Sequence, residues 1–132
     1  MKIKIRNAVK EDMKQVHNLI VELAIFEKEP DEVEIDEKYI QKMGFNRFST
    51  WKGKTLHLED LVVTKKMRGQ GIGSKLLDKV ILHGKESGAK RISWNVIDWN
   101  TNAIEFYKNR GAEIVEGWSI IHLSGKNLEN YI

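Results

Sequence analysis

The run Arg68-Gly69-Gln70-Gly71-Ile72-Gly73 lies between an extended apolar stretch, Thr55 to Val63, and an amphipathic one from Ile72 to about Glu86. A strand, a glycine turn and a helix in succession belong to a layered α/β or α+β fold. The first N–H groups of a helix have no partner inside it. Together with the helix dipole they form an anion site. Glycines let a backbone approach a phosphate closely and adopt turns that a Cβ forbids. The same glycines also suit a tight turn with no ligand, and these residues alone leave both readings open. Two other phosphate loops are excluded. No Gly-Lys-Ser/Thr follows at the Walker spacing, and the run neither follows a first βαβ strand nor keeps the Gly-x-Gly-x-x-Gly spacing of a dinucleotide fingerprint.

Elements around the loop follow from periodicity. Lys2 to Arg6 alternates charged and apolar residues, which predicts a half-buried first strand. Glu11 to about Lys28 carries Met13, Val16, Leu19, Leu23 and Phe26 at helical spacing, and Pro30 marks a stop. Asp36 to Lys42 suggests a short second helix capped by Asp36. Thr55 to Val63 predicts the clearest strand. A helix from Ile72 to about Glu86 follows, ended by Gly88, then a strand from Arg91 to Ile97 and a helix from Asn100 to Arg110 with Gly111 at its cap. Ile114 and Trp118 to Leu123 supply the last expected strands.

A chain of 132 residues predicts one domain, residues 1–132. With no cysteine, a disulfide framework, a thiolate metal site and a Cys nucleophile are excluded, and no metal is expected. No window approaches the ~20 apolar residues of a membrane span, and the start lacks the apolar core of a signal peptide. A soluble cytoplasmic protein with no membrane partner is the expectation. The net charge of +3 is mild, but its distribution is uneven. Carboxylates crowd residues 27–37 at Glu27, Glu29, Asp31, Glu32, Glu34, Asp36 and Glu37, whereas Lys65, Lys66, Arg68, Lys75, Lys79, Lys85, Lys90 and Arg91 make residues 65–91 basic. One region suits a cation and the other an anion, or both are solvated surface. No basic stripe is interleaved with aromatics, so nucleic acid is not an expected partner.

Two blocks carry a family resemblance. Arg68-Gly69-Gln70-Gly71-Ile72-Gly73 resembles the acetyl-CoA signature of the GNAT superfamily of N-acetyltransferases. Asn100-Thr101-Asn102-Ala103-Ile104-Glu105-Phe106-Tyr107-Lys108-Asn109-Arg110-Gly111-Ala112 resembles the family's Asn-x-x-Ala-x-x-Phe-Tyr-x-x-x-Gly-Phe block. Further runs are similar to the diamine acetyltransferase subfamily, which includes the spermidine/spermine and thialysine N-acetyltransferases: Glu22-Leu23-Ala24-Ile25-Phe26-Glu27, Leu58-Glu59-Asp60-Leu61, Asp98-Trp99-Asn100 and Glu116-Gly117-Trp118. Ser49-Thr50-Trp51-Lys52-Gly53 is closer to the thialysine branch, because the polyamine branch has Asp-Pro before that Trp.

The resemblance implies a GNAT fold, a mixed and mostly antiparallel sheet flanked by helices. The interval from Lys42 to Trp51 is shorter than the roughly 12–15 residues that two strands and a turn need. Strands two and three are therefore expected to be incomplete. The resemblance also implies acetyl-CoA as co-substrate, held by Leu61, Val62, Val63, Arg68, Gly69, Gln70, Gly71, Ile72, Gly73, Asn100, Ala103 and Tyr107. Lys108 and Arg110 fall near its adenosine phosphate or simply form a solvated helix end. A small-molecule amine is the implied partner, within a homodimer.

Acetyl transfer from a thioester needs a neutral amine, a polarised carbonyl and a stabilised leaving thiolate. An alkylammonium has a pKa near ~10.4, so a base must take its proton. The resemblance implies Glu59 as that base, acting through water, with His57 and Asp60 as competitors. It implies Tyr107 as the general acid toward sulfur, since a phenol stays protonated at neutral pH. Glu27, Glu29, Trp51, Asp60, Glu116 and Trp118 form an acceptor set, because aromatic faces and carboxylates both attract ammonium groups. A protein or peptide N-acetyltransferase and a non-catalytic acyl-CoA-binding protein are the alternatives.

Overall fold

The computed structural model describes residues 3–33 and 47–132. The expected helix from Asp36 to Lys42 lies outside them. The described residues form two units, one ending at Ile97 and one beginning at Asp98.

The first unit opens with residues 3–9 in irregular conformation. This corrects the first strand expected over Lys2 to Arg6. A strand is held by ladder bonds to a neighbour, and among the described residues none pairs with this segment. Ile5 nevertheless keeps apolar company, sharing a cavity of about 670 Å³ with Leu56, Leu58, Leu76 and Val80. A 3-10 turn, Lys10–Asp12, leads into α1, Met13–Glu27. The Asp12 carboxylate accepts the Val9 N–H at 2.8 Å and the Arg6 guanidinium at 2.8 Å through its second oxygen, which pins the entry to the helix. Lys28 closes α1 in the left-handed region at φ 66°, and Pro30 starts the turn Pro30–Glu32.

Three strands form the sheet: β1, Arg47–Ser49, β2, Gly53–His57, and β3, Arg91–Ser93. β1 pairs antiparallel with β2, and β2 pairs parallel with β3 in the register Thr55 to Arg91, Leu56 to Ile92 and His57 to Ser93. Thr55, in the central strand, is 4% exposed. The sequence predicted β2 as far as Val63 and β3 as far as Ile97, yet the ladder between them ends where the Leu58 N–H meets the Ser93 carbonyl at 2.9 Å. Beyond that point residues 59–64 continue without a strand partner among the described residues.

α2, Ile72–Glu86, has the predicted bounds. Its apolar stripe buries Leu77 completely. It packs tightly on the sheet at Gly84, where an added Cβ would sit 2.6 Å from Ile92 Cδ1 and 3.4 Å from Leu56 Cδ2. Leu56 and Ile92 are register partners, so this glycine rests against one rung of the sheet. A glycine inside a helix costs about 1 kcal/mol relative to alanine. Here close packing offsets that cost.

The second unit holds α3, Thr101–Lys108, and α4, Gly125–Glu129. Asn100 caps α3, its Oδ1 accepting the Ala103 N–H at 3.3 Å. Gly111, at φ 81°, follows as the sequence predicts. The strands expected at Ile114 and over Trp118 to Leu123 do not form: residues 112–124 are irregular, with Val115, Trp118 and Ile121 largely exposed. Alternating apolar residues make a strand only when a neighbouring edge accepts their backbone groups, and among the described residues none does.

Candidate active site

The glycine turn retains its predicted place before α2. Lys65–Met67 form a 3-10 turn, Gly69 and Gly71 take the left-handed region at φ 75° and 73°, and Gly71 is the N-cap of α2. A glycine N-cap has no side chain to accept the first amides of its helix, unlike Asn100 before α3. A helix N-terminus next to a turn of this kind favours an anionic group. Nothing lies within 4 Å of where a Cβ at Gly69 or Gly71 would project. Open space, positive φ and an uncapped helix N-terminus fit a phosphate-bearing ligand. Gln70 is exposed on the turn, and Ile72 and Gly73, in the first turn of α2, are half-buried.

Leu61, Val62 and Val63 run half-buried toward this loop. The Val63 carbonyl accepts the Arg68 Nε–H at 2.8 Å. Arg68 also stacks over Phe26 at 5.5 Å and approaches Glu22 at 4.0 Å. Glu22 accepts the Lys65 N–H at 2.8 Å. No separate role for Glu22 could be read from the sequence, since a helical carboxylate whose partner lies 43 residues away leaves no local signal.

Just before the loop the carboxylates gather. Glu59 is 81% exposed, and a carboxylate oxygen lies 3.4 Å from His57 Nε2. His57 Nδ1 is 3.3 Å from Ser93 Oγ on β3. Partial burial, with the neighbouring Glu59 charge added, raises the Asp60 carboxyl above its ordinary range. Partial burial, with the Asp60 charge added, raises Glu27 likewise. Glu27 of α1 and Asp60 thus feel one another, and a third carboxylate adjoins them. Mutually repelling carboxylates of this kind favour a cation. Among the described residues no group of His, Asp and Glu has the arrangement of a metal site.

Of the remaining acceptor candidates, Trp51 is 85% exposed on the β1–β2 turn and Glu29 is exposed beyond the cap of α1. Glu116 and Trp118 belong to the second unit and are exposed in its irregular stretch. In that unit the half-buried Tyr107 packs edge-on against Phe106 with ring centroids 5.2 Å apart. Burial pushes its phenol above the ordinary value. Ala103 is half-buried one turn earlier, and Lys108 is exposed at the end of α3. Arg110 lies 4.0 Å over the Phe106 ring and donates to the Phe106 carbonyl at 3.2 Å.

Residues 9–112 match the Acetyltransferase (GNAT) family, and the chain belongs to it. It is an acyltransferase with an α/β GNAT fold, and enzymes of this family use acetyl-CoA as co-substrate. A thialysine N-epsilon-acetyltransferase of Bos taurus is 31% identical over 159 residues, covering 94% of this chain and 94% of that protein. That alignment is longer than the 132 residues of this chain, so the bovine relative carries positions with no counterpart here. The L-ornithine N5-acetyltransferase NATA1 of Arabidopsis thaliana is 37% identical over 73 residues, 55% of this chain and 32% of that protein. Among solved structures, an integron cassette protein of V. cholerae superposes with a TM-score of 0.77 at 19% identity, covering 98% of this chain and 96% of that one. Among the described residues no helix is long and apolar enough to cross a membrane.

Proposed function

We propose that this protein transfers the acetyl group of acetyl-CoA to the primary amine of a small cationic acceptor, a thialysine, lysine-like or diamine compound. The observation that carries this reading is the glycine turn at the head of α2, with Gly69 and Gly71 in the left-handed region and a side-chain-free N-cap at Gly71, a setting suited to the coenzyme pyrophosphate. Gly69, Gln70, Gly71, Ile72 and Gly73 line that contact, with Arg68 beside it. Leu61, Val62 and Val63, which have left the β ladder, offer backbone groups to the amide-bearing pantetheine arm, and Asn100 and Ala103 serve the same arm. Lys108 and Arg110 serve the adenosine phosphate. Both units then act as one catalytic domain.

On the acceptor side, Glu27 and Asp60 attract the ammonium group, aided by Glu29, Trp51, Glu116 and Trp118. Glu59 takes the ammonium proton through a water, which its exposure permits. The freed amine attacks the thioester carbon, so that the C–N bond forms and the C–S bond breaks. Tyr107 donates its phenolic proton to the departing sulfur, the acetylated nitrogen sheds its second proton to solvent, and Tyr107 recovers one from solvent. The products are the acetamide, coenzyme A and one net proton. The bovine relative's thialysine activity and the Arabidopsis relative's ornithine activity both concern amines on short, charged side chains, which supports this acceptor class. A homodimer and a cytoplasmic location complete the proposal.

The test is release of coenzyme A from acetyl-CoA with thialysine, lysine, putrescine, spermidine and a short basic peptide in turn. Turnover of one of the small amines is the expected result. Turnover of the peptide alone, or acetyl-CoA binding without any turnover, would overturn it.

A further inference from the structure

The glycine turn is exposed through residues 68–71. One helix, α1, reaches it through two side chains. The Glu22 carboxylate of α1 accepts the backbone N–H of Lys65 at 2.8 Å, bonds the Thr64 side chain and lies 4.0 Å from the Arg68 guanidinium. One turn further along α1, the Phe26 ring sits under that guanidinium at 5.5 Å. Arg68 is held again from the chain ahead of it by the Val63 carbonyl. Within the turn, the Met67 N–H donates to the Thr64 carbonyl at 2.9 Å. One carboxylate therefore ties the residue that opens the turn, the next residue and the arginine that precedes its glycines.

We propose that Glu22 is a positioning residue for the coenzyme: from α1 it fixes Thr64, Lys65 and Arg68, and so sets where the amides of Gly69, Gln70 and Gly71 stand before the ligand arrives. This rests on the coenzyme reading of the glycine turn. Two left-handed glycines have many accessible conformations, and a flexible turn must be ordered when the anion binds. Anchoring one end of the turn from an independent helix lowers that ordering cost. Arg68 is also kept from folding over the glycines, because its Nε–H meets the Val63 carbonyl, its guanidinium face meets Phe26 and its charge meets Glu22. The hydrogen bonds and the nearby Arg68 charge keep Glu22 ionised below the ordinary carboxylate range, so the anchor persists throughout the neutral range.

The test measures the dissociation constant of coenzyme A by titration calorimetry on the full chain, for wild type, Glu22→Ala, Glu22→Gln, Lys65→Pro and the Glu22→Ala/Lys65→Pro double variant. Lys65→Pro removes the donated N–H from the first position of a 3-10 turn, where proline is tolerated. Glu22→Ala is expected to weaken binding about tenfold, a loss typical of a charge-assisted hydrogen bond. Glu22→Gln keeps an acceptor for the Lys65 N–H and is expected to restore part of the loss. The double variant is expected to bind no more than slightly more weakly than Glu22→Ala, since both changes break one link. Wild-type affinity in Glu22→Ala, or additive losses in the double variant, would overturn the positioning role and leave the coenzyme reading intact. Failure of the wild-type protein to bind coenzyme A would overturn both. If Glu22→Ala does not fold, Glu22→Gln and Lys65→Pro decide: wild-type affinity in Lys65→Pro is then the overturning result.

Discussion

The imidazole Nε2 of His57 lies 3.4 Å from a carboxylate oxygen of Glu59, while its Nδ1 lies 3.3 Å from Ser93 Oγ on the neighbouring strand. His57 thus spans the last rung of the β2–β3 ladder and the first residues that leave it. If Glu59 is the base, this arrangement predicts a supporting place for His57 and not the base role itself. Glu59→Gln should lower turnover about a hundredfold, the scale of a lost general base. Coenzyme A binding by the same variant should be unchanged. His57→Gln, which retains a hydrogen-bonding side chain, should cost much less. Steady-state rates at saturating acetyl-CoA check both. Equal losses in the two variants would assign the base role to the imidazole instead.

Tyr107 is protonated throughout the neutral range, and burial extends that range upward. A general acid works while it holds its proton, so the alkaline limb of turnover should begin above the ordinary tyrosine value of ~10. Tyr107→Phe should lower turnover about a hundredfold at pH 7 and abolish that limb. Rates measured from pH 7 to 10.5 decide. A variant with wild-type rates removes Tyr107 from the chemistry.

Glu27 and Asp60 both have raised carboxyl pKa values, first by burial and then by a neighbouring negative charge. A raised carboxyl stabilises the fold below its unfolded value, near ~4, and that contribution is lost as pH climbs through the folded value. Glu27→Gln should therefore raise the melting temperature of the unliganded protein at pH 7, and the gain should vanish below about pH 4. The same substitution should raise KM for the amine about tenfold by removing a charge that attracts it. Melting curves across pH and amine titrations test the two halves separately. A lower melting temperature at pH 7 would contradict the repulsion.

Asp12 behaves in the opposite sense. The Arg6 guanidinium, together with the Val9 N–H, lowers its carboxyl to about 2. Its stabilisation is complete above the unfolded value near ~4 and is lost as pH falls from there toward 2. Asp12→Asn should melt at a lower temperature than wild type at pH 7 and converge with it by pH 2. Because Arg6 is 55% exposed, molar salt should shrink the difference at pH 7.

Where periodicity and capping act locally, the sequence was legible. The bounds of α2, the Asn100 cap of α3 and the left-handed glycines at 88 and 111 all appear where the residues put them. Expectations failed where a strand needs a neighbour. Residues 3–6, 94–97 and 118–123 carry strand patterns, but pattern alone supplies no hydrogen-bonding edge. In the site, the glycine turn and the Glu59–Asp60 pair could be read from consecutive residues. The Glu22 contact could not, because it joins distant parts of the chain through a single carboxylate.

Gly84 gives α2 a second significance. The helix is a stiff rod, and its first turn, which adjoins the glycine turn, lies twelve residues or about 18 Å from the point where Gly84 rests on Leu56 and Ile92. A methyl group in that seat would lie 2.6 Å from Ile92 Cδ1, so that either that side chain or the helix must shift. The height of α2 over the sheet is therefore set at the end remote from the glycine turn, by a residue that carries no side chain at all.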